Sequence, residues 1–219
     1  MGETWGALDM DLFLDDVDTV IERMRGDLNR EEIVKIMGLR RRLSHLHDEN
    51  LVKINHSVME LICASHLIKS GFEVELEHIL NGVSCDIYAV KGYGTLIVEV
   101  ETGFVPPEHA TDPQRYLRAR ITSKITRYSA FANKFCLGTP NHYVMEIHPA
   151  LTKPPRFRTV EEVAAIKELC DMYYRNPSVA MEEIRNARLH SIYTVDVDYV
   201  SVREWDVSEY MGKAALWTI

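Results

Sequence analysis

The sequence predicts an α/β protein in which helices flank a mixed β-sheet. An Asn81-Gly82 pair lies between two runs of β-type residues, which is a strong hairpin signal, and a third apolar run follows it. Apolar residues recur at helical spacing on both sides of these runs. The chain has 219 residues, of which 46% are apolar, so it can bury the core of a single domain.

The predicted elements alternate along the chain. Two amphipathic helices come first, and a third helix ends at a glycine, a residue common just past a helix terminus. The predicted helices cover Leu8–Arg25, Arg30–His47, Asn55–Gly71, a basic segment that follows Gln114, and Val160–Arg175. The predicted strands cover Phe72–Leu80, Val83–Lys91, Thr95–Glu101, a fourth core strand at His142–His148 and an edge strand at Ile192–Val202. We expect one domain over residues 1–219, with a helical extension at 1–50, a core at 51–150 and a C-terminal helix and strand at 151–219.

Three carboxylates interrupt the apolar strands of the predicted core: Asp86, Glu99 and Glu101. A buried charge without a partner is costly or shifts its pKa until it is neutral. Glu99 and Glu101 project from the same face of their strand because side chains alternate along it. Mg²⁺ prefers hard oxygen ligands and usually takes one or two carboxylates. These three residues are therefore candidate metal ligands.

Glu60 lies on the apolar face of the third predicted helix, with Leu61, Ala64 and Leu67. A glutamate at this place points towards the sheet rather than towards water. It is either a buried glutamate paired with an arginine or lysine, or a further acid of the metal site. The nearby His56 is interpreted as a surface histidine at the start of the helix, with a place in the site as the alternative.

A basic segment without any Asp or Glu extends from Gln114 to Met145. The whole chain carries a formal charge of −8, so this segment is a local positive region, and local charge decides where a polyanion binds. Its apolar residues recur at helical spacing and predict a core face of Leu117, Ile121, Ile125, Tyr128, Ala132 and Phe135. A cationic stripe lies beside that face and consists of Arg120, Lys124, Arg127 and Lys134. This stripe is either a nucleic-acid contact or a solvated helix surface.

The order of these elements resembles the PD-(D/E)xK nuclease superfamily: a helix with Glu60, a hairpin whose second strand carries Asp86, the triplet at 99–101, and a basic helix. The resemblance covers roughly residues 55–147. It implies that Asp86 is the family aspartate, Glu99 the first acid of the (D/E)xK element and Glu60 the helix acid. Cys85 stands where the family often has proline, and Glu101 stands where it usually has lysine.

The absent lysine has a candidate replacement on the basic helix. The pattern Lys124-Ile-Thr-Arg-Tyr128 is similar to the Gln-x-x-x-Tyr element of RecB-like members of the superfamily, so we expect Lys124 to supply the charge that position 101 lacks. The resemblance implies a restriction-endonuclease-like fold and a DNA nuclease that uses Mg²⁺ or Mn²⁺ held by Asp86, Glu99 and Glu101. The implied catalytic residues are Glu60, Asp86, Glu99, Glu101 and Lys124, and the implied DNA contacts are Arg120, Arg127, Lys134 and Tyr128.

Within the superfamily, the small size and the element order look most like archaeal Holliday junction resolvases. That subgroup implies a homodimer and branched DNA as the substrate. Two alternatives stay open. One is a restriction-type or RecB-like nuclease. The other is a nuclease-fold domain whose metal site has decayed and which binds DNA or protein without cutting. Glu101 favours the decayed module, and Lys124 opposes it.

Composition and patterning point away from a membrane protein. No apolar run is long enough to span a bilayer, and the acidic first residues differ from the basic start of a signal peptide. The four cysteines lack C-x-x-C spacing, so we expect reduced, buried thiols rather than a zinc site. The sequence therefore predicts a soluble, cytoplasmic protein.

Overall fold

A six-stranded mixed sheet lies between two layers of helices in the computed structural model, which describes residues 3–217, with side chains from residue 12 onward. The helices are α1 (Glu3–Met24), α2 (Arg30–Asp48), α3 (Ile54–Lys69), α4 (Pro113–Tyr128), α5 (Val160–Tyr173), α6 (Met181–Asn186) and α7 (Val207–Ala214). The strands are β1 (Glu73–Leu80), β2 (Val83–Lys91), β3 (Gly94–Val100), β4 (Lys134–Pro140), β5 (Ser191–Asp196) and β6 (Ser201–Asp206). The predicted α/β class and mixed sheet are confirmed.

The strands follow the order β1-β2-β3-β4-β5-β6 across the sheet. β1, β2 and β3 form an antiparallel meander, β3, β4 and β5 are parallel, and β6 returns antiparallel to β5. The predicted hairpin turn is confirmed, because Asn81 and Gly82 both have positive φ angles, 49° and 83°. Two consecutive positive φ angles are what a tight hairpin turn of this kind requires. Helix α4 makes the crossover between the parallel strands β3 and β4.

Each face of the sheet carries its own apolar core. The first core packs α1, α2 and α3 against one face, where Val98 and Val100 of β3 are fully buried. The second core packs α4 to α7 against the opposite face, where Ile97 of the same strand is fully buried. A strand that is apolar on both sides belongs in the middle of a sheet. The predicted central position of this strand is therefore confirmed.

Two helices begin at reciprocal caps that the sequence supplies locally. The side chain of Asn29 accepts hydrogen bonds from the first turn of α2, and Glu32 reaches back to the backbone amide of Asn29. Thr159 and Glu162 form the same arrangement at the start of α5. These caps satisfy amide groups that have no partner inside the helix.

The predicted fourth core strand is wrong in position. The strand is Lys134–Pro140 rather than His142–His148, so Phe135 belongs to a strand and not to the core face of the basic helix. A short run that is apolar on both faces has no periodicity that separates a helix from a strand. Residues 142–148 form irregular backbone that still buries Met145 and Ile147.

The C-terminal part contains more elements than predicted. The single edge strand expected at Ile192–Val202 is a hairpin of two strands, and its turn passes through Val200 with a φ of 49°. The outer strand of that hairpin, β6, forms the sheet edge. The short helices α6 and α7 were not predicted, whereas a helix beginning at Val160 was.

Candidate active site

Asp86 lies where strands β2 and β3 separate. Their backbone pairing ends at Ile87 and Val98, and side-chain hydrogen bonds take its place. The amide of Asp86 donates to Oε1 of Glu99 at 3.0 Å, and the amide of Val100 donates to Oδ2 of Asp86 at 2.6 Å. These bonds fix both carboxylates in the gap between the strands.

Along β1 and β2, the buried side chains switch from one face of the sheet to the other at the level of Glu77 and Asp86. Leu76 and its partner Ile87 pack in the first core, whereas Leu80 and Cys85 pack with the second. Glu77, which lies between the two registers, has a left-handed φ of 49°. For a residue other than glycine, this backbone conformation carries a strain energy of about 1–3 kcal/mol, and strained residues of this kind cluster at functional sites.

Lys124 reaches the separated strands from helix α4. Its Nζ lies 3.0 Å from Oδ2 of Asp86 and 3.1 Å from Oε2 of Glu99, and it donates to the carbonyl of Val100 at 2.7 Å. Burial opposes a charge on this amine, but the carboxylates of Asp86 and Glu99 outweigh burial and raise the pKa of Lys124. Lys124 is therefore a buried ammonium held against two carboxylates.

The two carboxylates that contact Lys124 differ in their pKa. Burial raises the pKa of Asp86, but the positive charges of Lys124 and His56 outweigh it and hold this pKa below its usual range. Burial and the adjacent Asp86 charge raise the pKa of Glu99 to about 8. Two acids with opposite shifts lie side by side, an arrangement typical of sites that handle protons.

A second set of side chains meets Asp86 from the side of the first core. His56, Glu60, Glu77 and Asp86 each offer one ligand atom, and these atoms lie within 4.8 Å of one another. Nε2 of His56 lies 3.1 Å from Oε1 of Glu60 and 3.2 Å from Oδ2 of Asp86. Burial opposes a positive charge on His56, but its two acidic neighbours raise its pKa to about 10. We call these four residues the acidic cluster.

The acidic cluster fits a divalent cation. Glu60 is fully buried, and neither of its carboxylate oxygens has an aligned hydrogen-bond donor. Burial, the largest cause, raises the pKa of Glu60 to about 7. A cation would satisfy these oxygens, and three carboxylates with one imidazole suit Mg²⁺ or Mn²⁺.

This ligand set differs from the one the sequence predicts. Asp86 is common to both sets, but the carboxylates of Glu99 and Glu101 are turned towards helix α4. Oε2 of Glu101 lies 2.8 Å from Nε of Arg120, and its Oε1 accepts from the amide of Gly103 at 3.1 Å. The acid in the expected lysine position is thus half of a buried ion pair.

The four residues of the predicted cationic stripe do not form one exposed surface. Arg120 and Lys124 point to the acids of β2 and β3, and Arg127 donates to the carbonyl of Pro177 at 2.6 Å. Lys134 is exposed, but it begins β4 and does not lie on the helix. Tyr128 is half-buried against the second core. Arg120 and Lys124 are therefore neutralised within the protein, whereas Arg127 keeps its charge because its partner is a carbonyl.

A cleft of about 500 Å³ leads to the acidic cluster. His56 and Glu77 form its inner wall, and Lys53 and Arg120 also line it. Phe104 stands at this cleft with 58% of its surface exposed. The cleft therefore offers positive charge and an aromatic face to a ligand that approaches the cluster.

Sequence reasoning missed Glu77 and assigned His56 to the surface. His56 and Glu60 are four residues apart on one helix, a spacing that places both on the same face and was available in the sequence. Glu77 gives no such signal, because it continues the alternating exposed series of Glu73 and Glu75. Only the left-handed backbone at Glu77 brings its carboxylate to the cluster.

Comparison of the chain with protein-family models, with curated proteins and with solved structures gives no match. Within residues 3–217, none of the helices combines the length and the hydropathy needed to cross a bilayer.

Proposed function

We propose that this chain is a metal-dependent DNA nuclease of the PD-(D/E)xK type. The observation that carries the proposal is the contact of Lys124 with both Asp86 and Glu99 at the point where β2 and β3 separate. The resemblance assigns an aspartate, an acid and a lysine to this site. Here the three groups come from three different elements, and the lysine comes from the helix rather than from the strand.

The acidic cluster supports the metal requirement. We propose that Asp86, Glu60 and Glu77 hold Mg²⁺ or Mn²⁺ and that His56 joins them when it gives up its proton, with Glu99 as the nearest further carboxylate. Such an ion lowers the pKa of water and neutralises charge on a phosphodiester. Glu60 gives up a proton near neutral pH to take part in binding, because its pKa is about 7.

Lys124 has the transition-state role in this proposal. Its ammonium is held in position by Asp86, Glu99 and the carbonyl of Val100, and it exchanges one of these three contacts for a phosphate oxygen as negative charge develops there. Glu99 orients Lys124, and its pKa of about 8 allows it to exchange a proton in the physiological range. Arg120 and Phe104 line the approach and contact the nucleic acid.

Cleavage assays with a variant series test this function. Purified protein with Mg²⁺ or Mn²⁺ is expected to cut single-stranded, duplex or four-way-junction DNA, and Asp86→Asn is expected to abolish cutting. Glu101→Gln is a matched control, because it removes a buried acid that directly follows β3 and faces Arg120 rather than the cluster. Absence of cutting of all three substrates, at Mn²⁺ concentrations that saturate binding, would contradict an enzymatic function.

A second candidate is a nuclease fold that binds DNA or protein without cutting. The observation that favours it is the ion pair between Arg120 and Glu101, which leaves less unpaired positive charge at the cleft for a nucleic acid. This candidate predicts Mn²⁺ binding without cleavage, together with nucleic-acid or protein binding that survives Asp86→Asn. The two candidates therefore differ in whether the parent protein cuts DNA in saturating Mn²⁺.

The junction-resolvase assignment is a narrower proposal on the same site. Symmetric cutting of a four-way junction needs two sites at a fixed spacing, which an isologous homodimer supplies. The exposed edge strand β6 and the N-terminal helices are the elements that the site itself does not use.

A further inference from the structure

Four arginines line one cavity outside the candidate active site. The cavity has a volume of about 680 Å³ and lies between the start of α5 and the end of α6. Its lining includes Arg156, Arg158, Arg185 and Arg188. A concentration of guanidinium groups around one cavity needs an explanation in a chain whose formal charge is −8.

The cavity is separate from the acidic cluster. The cluster lies towards the carboxyl ends of the parallel strands, where Val100 of β3 ends. Arg188 lies three residues before the start of β5, so it is near the amino ends of the parallel strands, at the opposite end of the sheet from the cluster. The six residues of β5 span about 20 Å at the usual rise per residue. A ligand of the cavity therefore does not reach the candidate metal.

Arg158 builds the wall of the cavity. Its guanidinium donates to the carbonyl oxygens of Ala150 at 2.7 Å, Ile184 at 2.9 Å and Lys153 at 3.1 Å. These bonds join the segment before α5 to the end of α6. Arg158 thus fixes the backbone that carries the other arginines, and it adds a positive charge that no carboxylate of the described side chains contacts directly.

Arg156, Arg185 and Arg188 have no ion-pair partner among the residues whose side chains the structure describes. The acids nearby are already engaged. Glu162 pairs with Lys153 and accepts from the amide of Thr159. Three further acids of this region are also bonded: Glu183 to the amide of Ala180, Glu182 to Asn186, and Glu161 to Thr159.

The rim of the cavity adds an apolar surface. Phe157 does not line the cavity itself, but it lies in the chain between the lining residues Arg156 and Arg158; it is 60% exposed, and the guanidinium of Arg156 lies 4.9 Å from the centre of its ring. Val160 is exposed on the same rim. Positive charge beside an exposed aromatic ring suits a ligand that has both an anionic and a planar part.

We propose that this cavity binds a phosphate-bearing ligand. Arginine forms paired hydrogen bonds with phosphate oxygens, and among the side chains that the structure describes no carboxylate pairs with Arg156, Arg185 or Arg188. The volume falls in the range of about 300–1,000 Å³ that is usual for small-molecule sites. The phosphate belongs either to a nucleic-acid strand or to a small phosphorylated molecule. The proposal does not depend on nuclease activity.

Calorimetry with two probes tests the proposal: pyrophosphate and a short single-stranded DNA. Both titrations are made in EDTA, so that phosphate cannot bind through a metal at the acidic cluster. The double variant Arg185→Ala/Arg188→Ala should lose about tenfold or more in affinity, because a hydrogen bond to a charged group typically carries at least such a factor. Arg30→Ala is the matched control, since Arg30 is exposed, lacks an ion pair and begins α2 on the other side of the sheet.

The outcomes separate the two sources of phosphate. Pyrophosphate binding that the double variant loses supports a small phosphorylated ligand. Binding of DNA alone, lost in the double variant, supports a strand. The single variants Arg185→Gln and Arg188→Gln, checked by circular dichroism, should each give a partial loss and serve if the double variant does not fold. The proposal is overturned if the parent binds neither probe, or if the variants bind as the parent does. Mn²⁺ binding at Asp86 is measured separately, so this failure is distinguishable from failure of the nuclease proposal.

Discussion

Nζ of Lys124 on helix α4 lies 3.1 Å from Oε2 of Glu99 on strand β3. Oε2 of Glu101, which directly follows β3, lies 2.8 Å from Nε of Arg120 on the same helix. Two ion pairs thus connect α4 to the end of β3. The pair that includes Lys124 also contacts Asp86, whereas the pair of Glu101 and Arg120 lies outside the acidic cluster.

The first prediction concerns the metal ligands. Glu60→Gln and Glu77→Gln are expected to weaken Mn²⁺ binding by about tenfold or more each, and Asp86→Asn to abolish it, because each removes a charged ligand atom of the acidic cluster. Isothermal titration calorimetry measures the affinities. Glu101→Gln should bind Mn²⁺ as the parent does, because its carboxylate faces Arg120.

The Glu99→Gln variant distinguishes the two ligand sets. The sequence-based set requires Glu99 as a direct ligand, and this variant would then lose Mn²⁺ as Asp86→Asn does. The acidic cluster predicts a smaller loss, since Glu99 contacts Lys124 and the amide of Asp86 instead. Equal Mn²⁺ affinity in the Glu60, Glu77 and parent proteins would rule out the cluster.

The second prediction concerns the catalytic role of Lys124. Lys124→Ala is expected to lower the cleavage rate by about 10²–10³-fold with a small change in DNA affinity, because its interaction strengthens only in the transition state. Lys134→Ala is the comparison, since Lys134 is exposed on β4. It should weaken DNA binding and lower the salt dependence by about one counterion without changing the rate at saturation.

Stability is the necessary control for Lys124→Ala. Removal of Lys124 leaves Asp86 and Glu99 buried without their cation, which typically costs about 3–5 kcal/mol. Mn²⁺ should recover part of this loss, and the rate is therefore measured on protein shown to be folded in Mn²⁺. A variant that is folded and cuts at the parental rate would remove Lys124 from the mechanism.

The third prediction concerns pH. The pKa of Glu60 is raised from 4.5 to about 7, first by burial. Between these values the folded chain keeps a proton that the unfolded chain has lost, so the stability of the metal-free protein falls as pH rises through this window. Mn²⁺ needs the deprotonated carboxylate, so its affinity rises over the same window.

Denaturant unfolding and Mn²⁺ titration across this window measure both effects. Glu60→Gln should show a shallower fall of stability with pH, because the amide does not titrate. Glu99 and Glu77, whose pKa values are also raised from 4.5, keep part of the slope in that variant, whereas His56, whose pKa is raised from 6.5 to about 10, acts mainly above this window. A slope that is identical in Glu60→Gln and parent would contradict the assignment to Glu60.

The fourth prediction concerns assembly. A junction resolvase needs two linked sites, so the protein is expected to sediment as a dimer of about 50 kDa, twice its chain mass of 25.2 kDa. It should bind four-way junctions more tightly than linear duplex of the same length at physiological salt. A monomer, or equal affinity for both forms, would remove the resolvase assignment and leave a nuclease of another substrate.

The sequence by itself determined the class of the fold and much of the candidate site. Asn81-Gly82 specified a hairpin through local backbone preference, and the apolar run of β3 specified a central strand. Asp86, Glu99 and Glu60 were detectable because a charge inside an apolar pattern is unusual whatever its partner is. These signals depend on short stretches of chain, and such stretches keep their meaning without tertiary contacts.

Only the tertiary structure decided which cation meets which acid. Lys124, Arg120 and Arg127 look alike on a helical pattern, yet they end at Asp86, Glu101 and the carbonyl of Pro177. Strand β4 was misplaced for a related reason, because its apolar run fits a helix or a strand until its neighbours are known. Glu77 enters the acidic cluster only through a left-handed backbone between two sheet registers. The partner of a buried charge depends on how distant segments pack, and a local pattern does not contain that information.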